Sequence, residues 1–439
     1  MDRLPGRLQH YDWGSSTALA ALRGVEPSGR PEAELWFGTN RAGSAGSGPG
    51  PDGQYLPDGD PDQGGQPGQL DQQAQPDLPY LVKLLAADRP LSLQAHPDAR
   101  AAADGYLREE EAGLAPDDPR RSFPDPGPKP ELLCAITRFE ALCGFRPVPE
   151  ALEVARALDV PAHLLDLLDQ PGPDAWRNVV GAALAGGGGG GGGGDGGVGG
   201  GGSGGGSDRE RDIARLVGAA RNVLEGGGPA ADRSENEIVE GGVEVAVDVT
   251  GMAVARAAEV VCRLADRYPT DPALLLVPML RRLVLQPGEA MFVGPGVLHA
   301  YLGGMALEVM TPCDNVVRGG FTSKHVDTGA LVDLLDPGRD PSVQRSVDGV
   351  HRYEVPVEDF AVWRIEGRHT LRVRTDPPAG AGEPAGRRQG PDVVVAIAGR
   401  TVVGDDLVLA PGEAALVPAA DGAYRISVDG IAHRVSVGG

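Results

Sequence analysis

The chain has 439 residues, enough for two or three hydrophobic cores, and its 67 glycines and 39 prolines far exceed ordinary usage. A formal net charge of −22, with no dense block of Lys or Arg, argues against a nucleic-acid partner held through a basic face. No uninterrupted apolar run is long enough to span a bilayer, and the opening MDRLPGRLQHYDWGSS lacks the apolar centre of a secretory signal.

Cys134, Cys143, Cys262 and Cys313 are scattered, without a Cys-x-x-Cys pair. They read as small apolar residues in a reducing compartment, so a cytoplasmic location is expected, with no membrane partner. In chain order, Glu32–Gly38 alternates well enough for a strand, and Trp13 and Trp36 read as core or rim aromatics. Residues 42–77 are Gly, Pro, Asp, Gln and Ser with almost no apolar content, a flexible insertion. LPYLVKLL (78–85) is a buried strand carrying one lysine, Lys83. LSLQAHPD (91–98) follows, and a strand's period of two puts Ser92, Gln94 and His96 on one face. Asp98 can cap a helix running to about Gly113.

Glu131–Thr137 and Phe139–Phe145 read as strands. Ala151–Leu168, Asp208–Leu224 and Gly251–Arg267 read as helices, interrupted by a glycine tract at 184–207 that cannot pack a core. Residues 274–330 return to strands and hold QPGEAMFVGPGVLHAYLGG, which delivers His299 just past a Gly-Pro-Gly turn. From Leu331 short strands run to the end, among them 360–365, 370–375, 424–428 and 431–437. There Leu409–Val417 echoes Leu285–Val293 but brings no histidine after it, which suggests two related barrels, one with a site and one without.

Gln94, His96, Glu131 and His299 come from three strands and offer two imidazoles, a carboxylate and an amide oxygen, a set that suits a borderline divalent ion such as zinc. Taken singly, each histidine is more often structural. Glu131 is the more telling residue, because an unpaired carboxylate in an apolar strand is costly. Arg318 and Lys324, six apart in a glycine-containing segment, read either as a solvated loop or as an anion pocket for phosphate.

The segments LPYLVKLL, LSLQAHPD, KPELLCAITRFEALCGFRP, GPGVLHAYLGG and DNVVRGGFTSKHVD, with YDWGS and AELWFG upstream, resemble the type I mannose-6-phosphate isomerases across most of the chain. The resemblance implies a mainly β fold with an inserted α-helical subdomain and cupin-like (jelly-roll) barrels. The catalytic cupin domain would span 1–149 plus 270–330, the helical subdomain 150–269, and a degenerate C-terminal cupin-like β domain 331–439. It also implies one zinc per chain on Gln94, His96, Glu131 and His299. Ser92, Lys83 and Lys324 would line the phosphate end and Arg318 would sit beside the reacting carbons, with Tyr301, Glu308, Asp314, Lys129 and Trp13 lining the pocket. The partner would be a hexose 6-phosphate, and a monomer is expected. Two departures stand out. Pro128 occupies the place where the family commonly has a histidine, which removes that group as proton carrier, and Cys313 replaces a usual serine.

Aldose–ketose isomerisation moves a proton between two carbons through a cis-enediol, so it needs cations for the developing oxyanion and a base near the carbons. Zinc and Arg318 are the expected cations; Glu308, Asp314 and Lys129 are the candidate bases, left unranked. A metal-dependent cupin dioxygenase would want iron and three histidines or a facial triad, against which Gln94 argues. A non-catalytic sugar-phosphate-binding cupin would be expected to lose ligands, and a fused nucleotide-sugar transferase would need a glycine-rich nucleotide signature that is absent.

Overall fold

The alternation of each strand decides which apolar core its side chains enter. The computed structural model describes residues 1–39, 76–170, 172, 174–185, 205–226, 249–374 and 390–438. The insertion expected at 42–77 falls almost wholly outside these residues, as does the glycine tract between Ala185 and Gly205.

The strands of the N-terminal part are β1 (Asp2–Leu4), β2 (Arg7–Gln9), β3 (Glu34–Phe37), β4 (Leu81–Ala87), β5 (Leu93–Ala95), β6 (Glu131–Ala135) and β7 (Phe139–Phe145). After the helices come β8 (Leu280–Leu285), β9 (Glu289–Val293), β10 (His299–Met310), β11 (Val317–Gly320) and β12 (Ser342–Arg345). All but β1 form one sheet, with a spine ordered β12-β9-β6-β10-β4-β3-β2, to which β5, β7, β8 and β11 attach. The long β10 is its hub, since β4, β5, β6 and β7 all pair with it. The second sheet holds β13 (Gly349–Tyr353), β14 (Ala361–Val373), β15 (Asp392–Val403), β16 (Leu407–Leu409), β17 (Ala414–Val417) and β18 (Tyr424–Ser436), joined by β1.

One apolar cluster lies between the two sheets and takes Val82, Leu84, Leu132, Cys134, Leu307 and Val309 from β4, β6 and β10. The alternate residues of the same strands, Leu85, Leu133 and Ala306, line a second cluster on the other face of the first sheet. A chain passing between these faces every residue necessarily sends Lys83, Glu131 and Glu308 to that second face, where the functional groups gather.

Two short strands cross the boundary expected at residue 331. β1 pairs with β17 in the second sheet, and β12 pairs with β9 in the first. The run expected as one helix over 151–168 is two, Val148–Ala157 and Ala162–Leu168. Asp159 at φ 58 and Pro161 divide them. Residues 272–279 form a 3₁₀ helix instead of strand, opened by Pro272 and carrying Pro278. The strands expected over 360–365 and 370–375 are the single β14, and those over 424–428 and 431–437 are the single β18. Gly367 pairs with Gly430, which pairs with Gly399, a row of glycines across three strands. All three have positive φ, at 82°, 143° and 70°. They bend long strands together where the sequence suggests breaks.

The echo between 285–293 and 409–417 extends to the hydrogen bonds. Gln286 N donates to Glu289 Oε2 and Ala410 N to Glu413 Oε2, both at 2.8 Å. The intervening Gly288 and Gly412 have φ of 87° and 79°.

Candidate metal centre

Strands β5, β6 and β10 carry Gln94, Glu131 and His299, and His96 follows β5 directly. His299, the first residue of β10, lies opposite Gln94 of β5, while Met310 at its far end lies opposite Glu131 of β6. One ligand atom each from His96, Glu131 and His299 lies within 4.8 Å of the others, and all three residues are buried. His96 Nε2 is 3.3 Å and His299 Nε2 3.8 Å from the two Glu131 oxygens.

The second ring nitrogens are already committed. His96 Nδ1 donates to Asn315 O at 2.8 Å and His299 Nδ1 to Val297 O at 3.0 Å. Each tautomer is thereby fixed with an Nε2 lone pair facing inward. His96 Nε2 is buried without a hydrogen-bond partner. Burial and the facing His96 ring push His299 down to about 4, and burial lowers His96 as well, so both stay neutral at ordinary pH. Burial alone would raise the Glu131 carboxyl, but His96 and Lys129 hold it well below the usual range. Gln94 completes the ring of donors, its Nε2 3.4 Å from His299 Nε2 while its Oε1 accepts from Ser92 Oγ at 3.0 Å. A half-turn of the amide exchanges its oxygen and nitrogen and turns an acceptor toward the centre. Two neutral imidazoles, a carboxylate and an amide fit a borderline dication.

Cations and carboxylates alternate beside the donors. Lys129 Nζ is 3.2 Å from Glu131 Oε1. Lys83 Nζ lies 3.6 Å from Glu34 and 3.5 Å from Glu308, and 4.9 Å above the Trp36 ring. Burial opposes its charge, but Glu34 and Glu308 together raise its pKa. Burial, with Glu131 adding to it, pushes Glu308 up to about 7 despite Lys83. The Tyr301 hydroxyl donates to Glu131 Oε2 at 3.4 Å, and Glu308 also acts on this hydroxyl.

The remaining expected residues are less closely gathered. Arg318, half-buried on β11, sits opposite Gln94. Asp314 is exposed, with its backbone N–H on Asp125 Oδ2 at 2.8 Å. Lys324 is exposed, its N–H on Thr322 Oγ1. Trp13 stacks on Tyr11 at 5.6 Å and packs against the apolar cluster that includes Tyr301. The Pro128 carbonyl accepts from Thr311 Oγ1 at 2.7 Å, and Cys313 Sγ reaches Gly127 O at 3.5 Å.

Glu34 and Asn315 went unnoticed in the sequence. Glu34 sits on a strand whose alternation gives it to the Lys83 face, a signal that was present. Asn315 had none. It is 0% exposed; its Nδ2 donates to Asp125 O and Gly127 O at 2.7 and 2.8 Å, and its Oδ1 accepts from Asp125 N. It therefore ties the loop leading to Lys129 and Glu131 to the carbonyl that orients His96. Asn315→Ala is expected to speed loss of a bound divalent metal to a chelator by about 10-fold or more, with the far-ultraviolet spectrum unchanged. Wild-type metal retention would count against this role.

Among the described residues no helix is long and apolar enough to cross a membrane. Residues 1–148 match the family model of the phosphomannose isomerase type I catalytic domain. The chain is 30% identical over 373 residues to the mannose-6-phosphate isomerase of Escherichia coli K12, covering 82% of each protein. It is 28% identical to that of Salmonella typhimurium LT2 over 99% of each. A crystal structure of the Salmonella typhimurium enzyme, bound to substrate and zinc, shares the fold with a TM-score of 0.70 at 24% identity over 100% of this chain and 99% of that one. Sequence similarity along four-fifths of both proteins, on a shared mainly β, cupin-like fold, establishes that this chain belongs to the type I mannose-6-phosphate isomerases.

Proposed function

We propose that the chain interconverts mannose 6-phosphate and fructose 6-phosphate through a cis-enediol, with one zinc ion held by Gln94, His96, Glu131 and His299. The observation that carries this reading is the buried convergence of His96, Glu131 and His299 with both imidazoles fixed by backbone carbonyls. Zinc in that place supplies Lewis-acid charge beside the sugar oxygens. We assign the chemistry to the part of the chain spanning 1–149 and 270–330. A cytoplasmic monomer fits four cysteines free of disulfides and exposed large apolar residues scattered singly, from Val25 to Val408.

The chain's own residues divide the remaining work. Arg318, beside Gln94, is assigned to the oxyanion that develops on the sugar, since a guanidinium keeps its charge and offers a planar fork. Lys324, Ser92 and Lys83 are assigned to the phosphate, the Lys83 ammonium lying between Glu34 and Glu308. Tyr301 and Trp13 wall the pocket. Of the candidate bases, Glu308 is favoured. It is buried on the site's face, and a carboxyl poised near 7 both accepts and returns a proton at ordinary pH. Asp314 is exposed, and Lys129 Nζ is engaged by Glu131 Oε1 at 3.2 Å.

A coupled assay on mannose 6-phosphate with and without thorough chelation tests the reading; activity is expected to disappear with the metal and return with zinc. Full activity in metal-free protein would overturn it. The acid limb of kcat/KM is expected at about pH 7 or somewhat below, where Glu308 ionises. Glu308→Gln is expected to lower kcat by roughly 100- to 10,000-fold and remove that limb, with zinc content unchanged.

A further inference from the structure

The segment between Arg318 and Lys324 is held from outside the site. Gly319, Gly320 and Phe321 pass between the 3₁₀ helix Pro272–Met279 and the helix Thr328–Leu334. A Cβ added at Gly319 would fall 2.7 Å from Leu331 Cδ2, and one at Gly320 would fall 2.7 Å from Asp271 Oδ1 and against Ala273. Phe321 is one of two non-glycine residues with positive φ among the described residues, at 55°. Such a conformation is unfavourable for a bulky side chain and persists only where its surroundings over-determine it.

Two contacts do so. The Phe321 ring is 1% exposed and lies against Tyr268 at 5.7 Å. The Phe321 N–H donates to Asp271 Oδ2 at 2.6 Å, while Asp271 Oδ1 accepts from Ala273 N at 2.9 Å and caps the 3₁₀ helix. One carboxylate thus locks the start of that helix to the middle of the segment, three residues from Arg318 on one side and three from Lys324 on the other.

We propose that Asp271 is a positioning residue for substrate: by holding Phe321 in its left-handed conformation it sets the places of Arg318 and Lys324, and so couples the end of the helical region to recognition of the sugar phosphate. This rests on the reading above, in which Arg318 and Lys324 meet the substrate. Asp271 touches neither the metal donors nor the reacting atoms. Its influence is on the geometry of two cations, and displacement of a charged group by about 1 Å costs up to roughly 100-fold.

The experiment uses full-length zinc-loaded enzyme and the variants Asp271→Ala, Asp271→Asn and Gly320→Ala. Gly320→Ala disturbs the same junction from the other side: it keeps the Asp271 carboxylate but presses a methyl group against its Oδ1 and Ala273. Expected are a fall of about 10- to 100-fold in kcat/KM on mannose 6-phosphate for Asp271→Ala and Gly320→Ala, and a smaller one for Asp271→Asn, which keeps one acceptor oxygen. Inorganic phosphate, tested as a competitive inhibitor, is expected to weaken in parallel. Zinc content is expected to stay stoichiometric, and the Asp271→Ala and Lys324→Ala losses are expected to combine less than additively. Should Asp271→Ala fail to fold, Gly320→Ala decides alone. Wild-type kcat/KM and phosphate inhibition in Gly320→Ala and Asp271→Ala, or losses that follow zinc, would overturn the proposal while leaving the isomerase reading intact. If Arg318→Ala and Lys324→Ala themselves change nothing, the reading of that segment as substrate-binding falls instead, and this proposal with it.

Discussion

Glu131→Gln is expected to abolish stoichiometric zinc binding and to lower kcat/KM by about 1000-fold, equivalent to about 4 kcal/mol of transition-state stabilisation. The substitution keeps the side chain's shape and removes its charge. In the native centre that charge is the only anionic donor in the set of His96, Glu131 and His299, and it also faces Lys129 Nζ at 3.2 Å. With glutamine present, a dication would sit beside the Lys129 ammonium without a compensating carboxylate. The repulsion acts at a few ångströms in a buried site, where it is screened far less than in water. The metal-free variant, in contrast, should fold, since a neutral amide there costs less to bury than a carboxylate. Metal analysis after dialysis, together with the coupled assay at saturating zinc, reads both effects. A variant that keeps one zinc per chain at wild-type affinity would remove Glu131 from the ligand set.

The candidate site residues stand out in the sequence because each breaks a pattern. Glu131 opens a fully buried strand, Lys83 interrupts an apolar run, and Gln94 and His96 share a face by period alone. A strand that must satisfy burial on both sides tolerates such residues only where partners await, so local sequence announces the site without giving its geometry. The partners themselves were not legible. Asn315 acts on residues some 190 positions away, through its side chain on Asp125 and Gly127. Asp271 acts on Phe321, 50 positions on, through a single amide. Neither contact leaves a period or a spacing. The glycines at 367, 399 and 430 misled for a related reason. Glycine marks turns when read along one chain, yet here three of them meet across strands and allow continuous pairing. The strand expected from residue 274 begins as the 3₁₀ helix at 272–279, because leucines and a valine between two prolines carry the composition of both.

Lys83→Met is expected to damage activity and stability together, in a manner that depends on pH. The ammonium lies between Glu34 and Glu308 in a nearly closed setting, with side-chain exposures of 9%, 7% and 4%. Removing it leaves two carboxyl groups facing each other across an apolar side chain, and breaking a buried pair from one side costs about 3 kcal/mol. The sign with pH follows from Glu308. Its folded pKa, about 7, lies above the value of 4.5 for an unperturbed carboxyl, so its contribution to stability is fully present below pH 4.5 and lost as pH rises through 7. Lys83 is one of the charges that hold this pKa down. Without it Glu308 ionises later, and the loss of stability caused by the substitution is larger at pH 8 than at pH 5, where Glu308 is protonated in both proteins. The same displacement reaches catalysis. If Glu308 takes the proton, the acid limb of kcat/KM moves to higher pH in Lys83→Met, and part of the activity lost at pH 7 returns at pH 9. Denaturant melts at pH 5 and 8, and a pH–rate profile from pH 5 to 9, measure the two consequences separately. An acid limb that stays in place while activity falls would show that Lys83 serves the substrate alone, and that the proton belongs to a group other than Glu308.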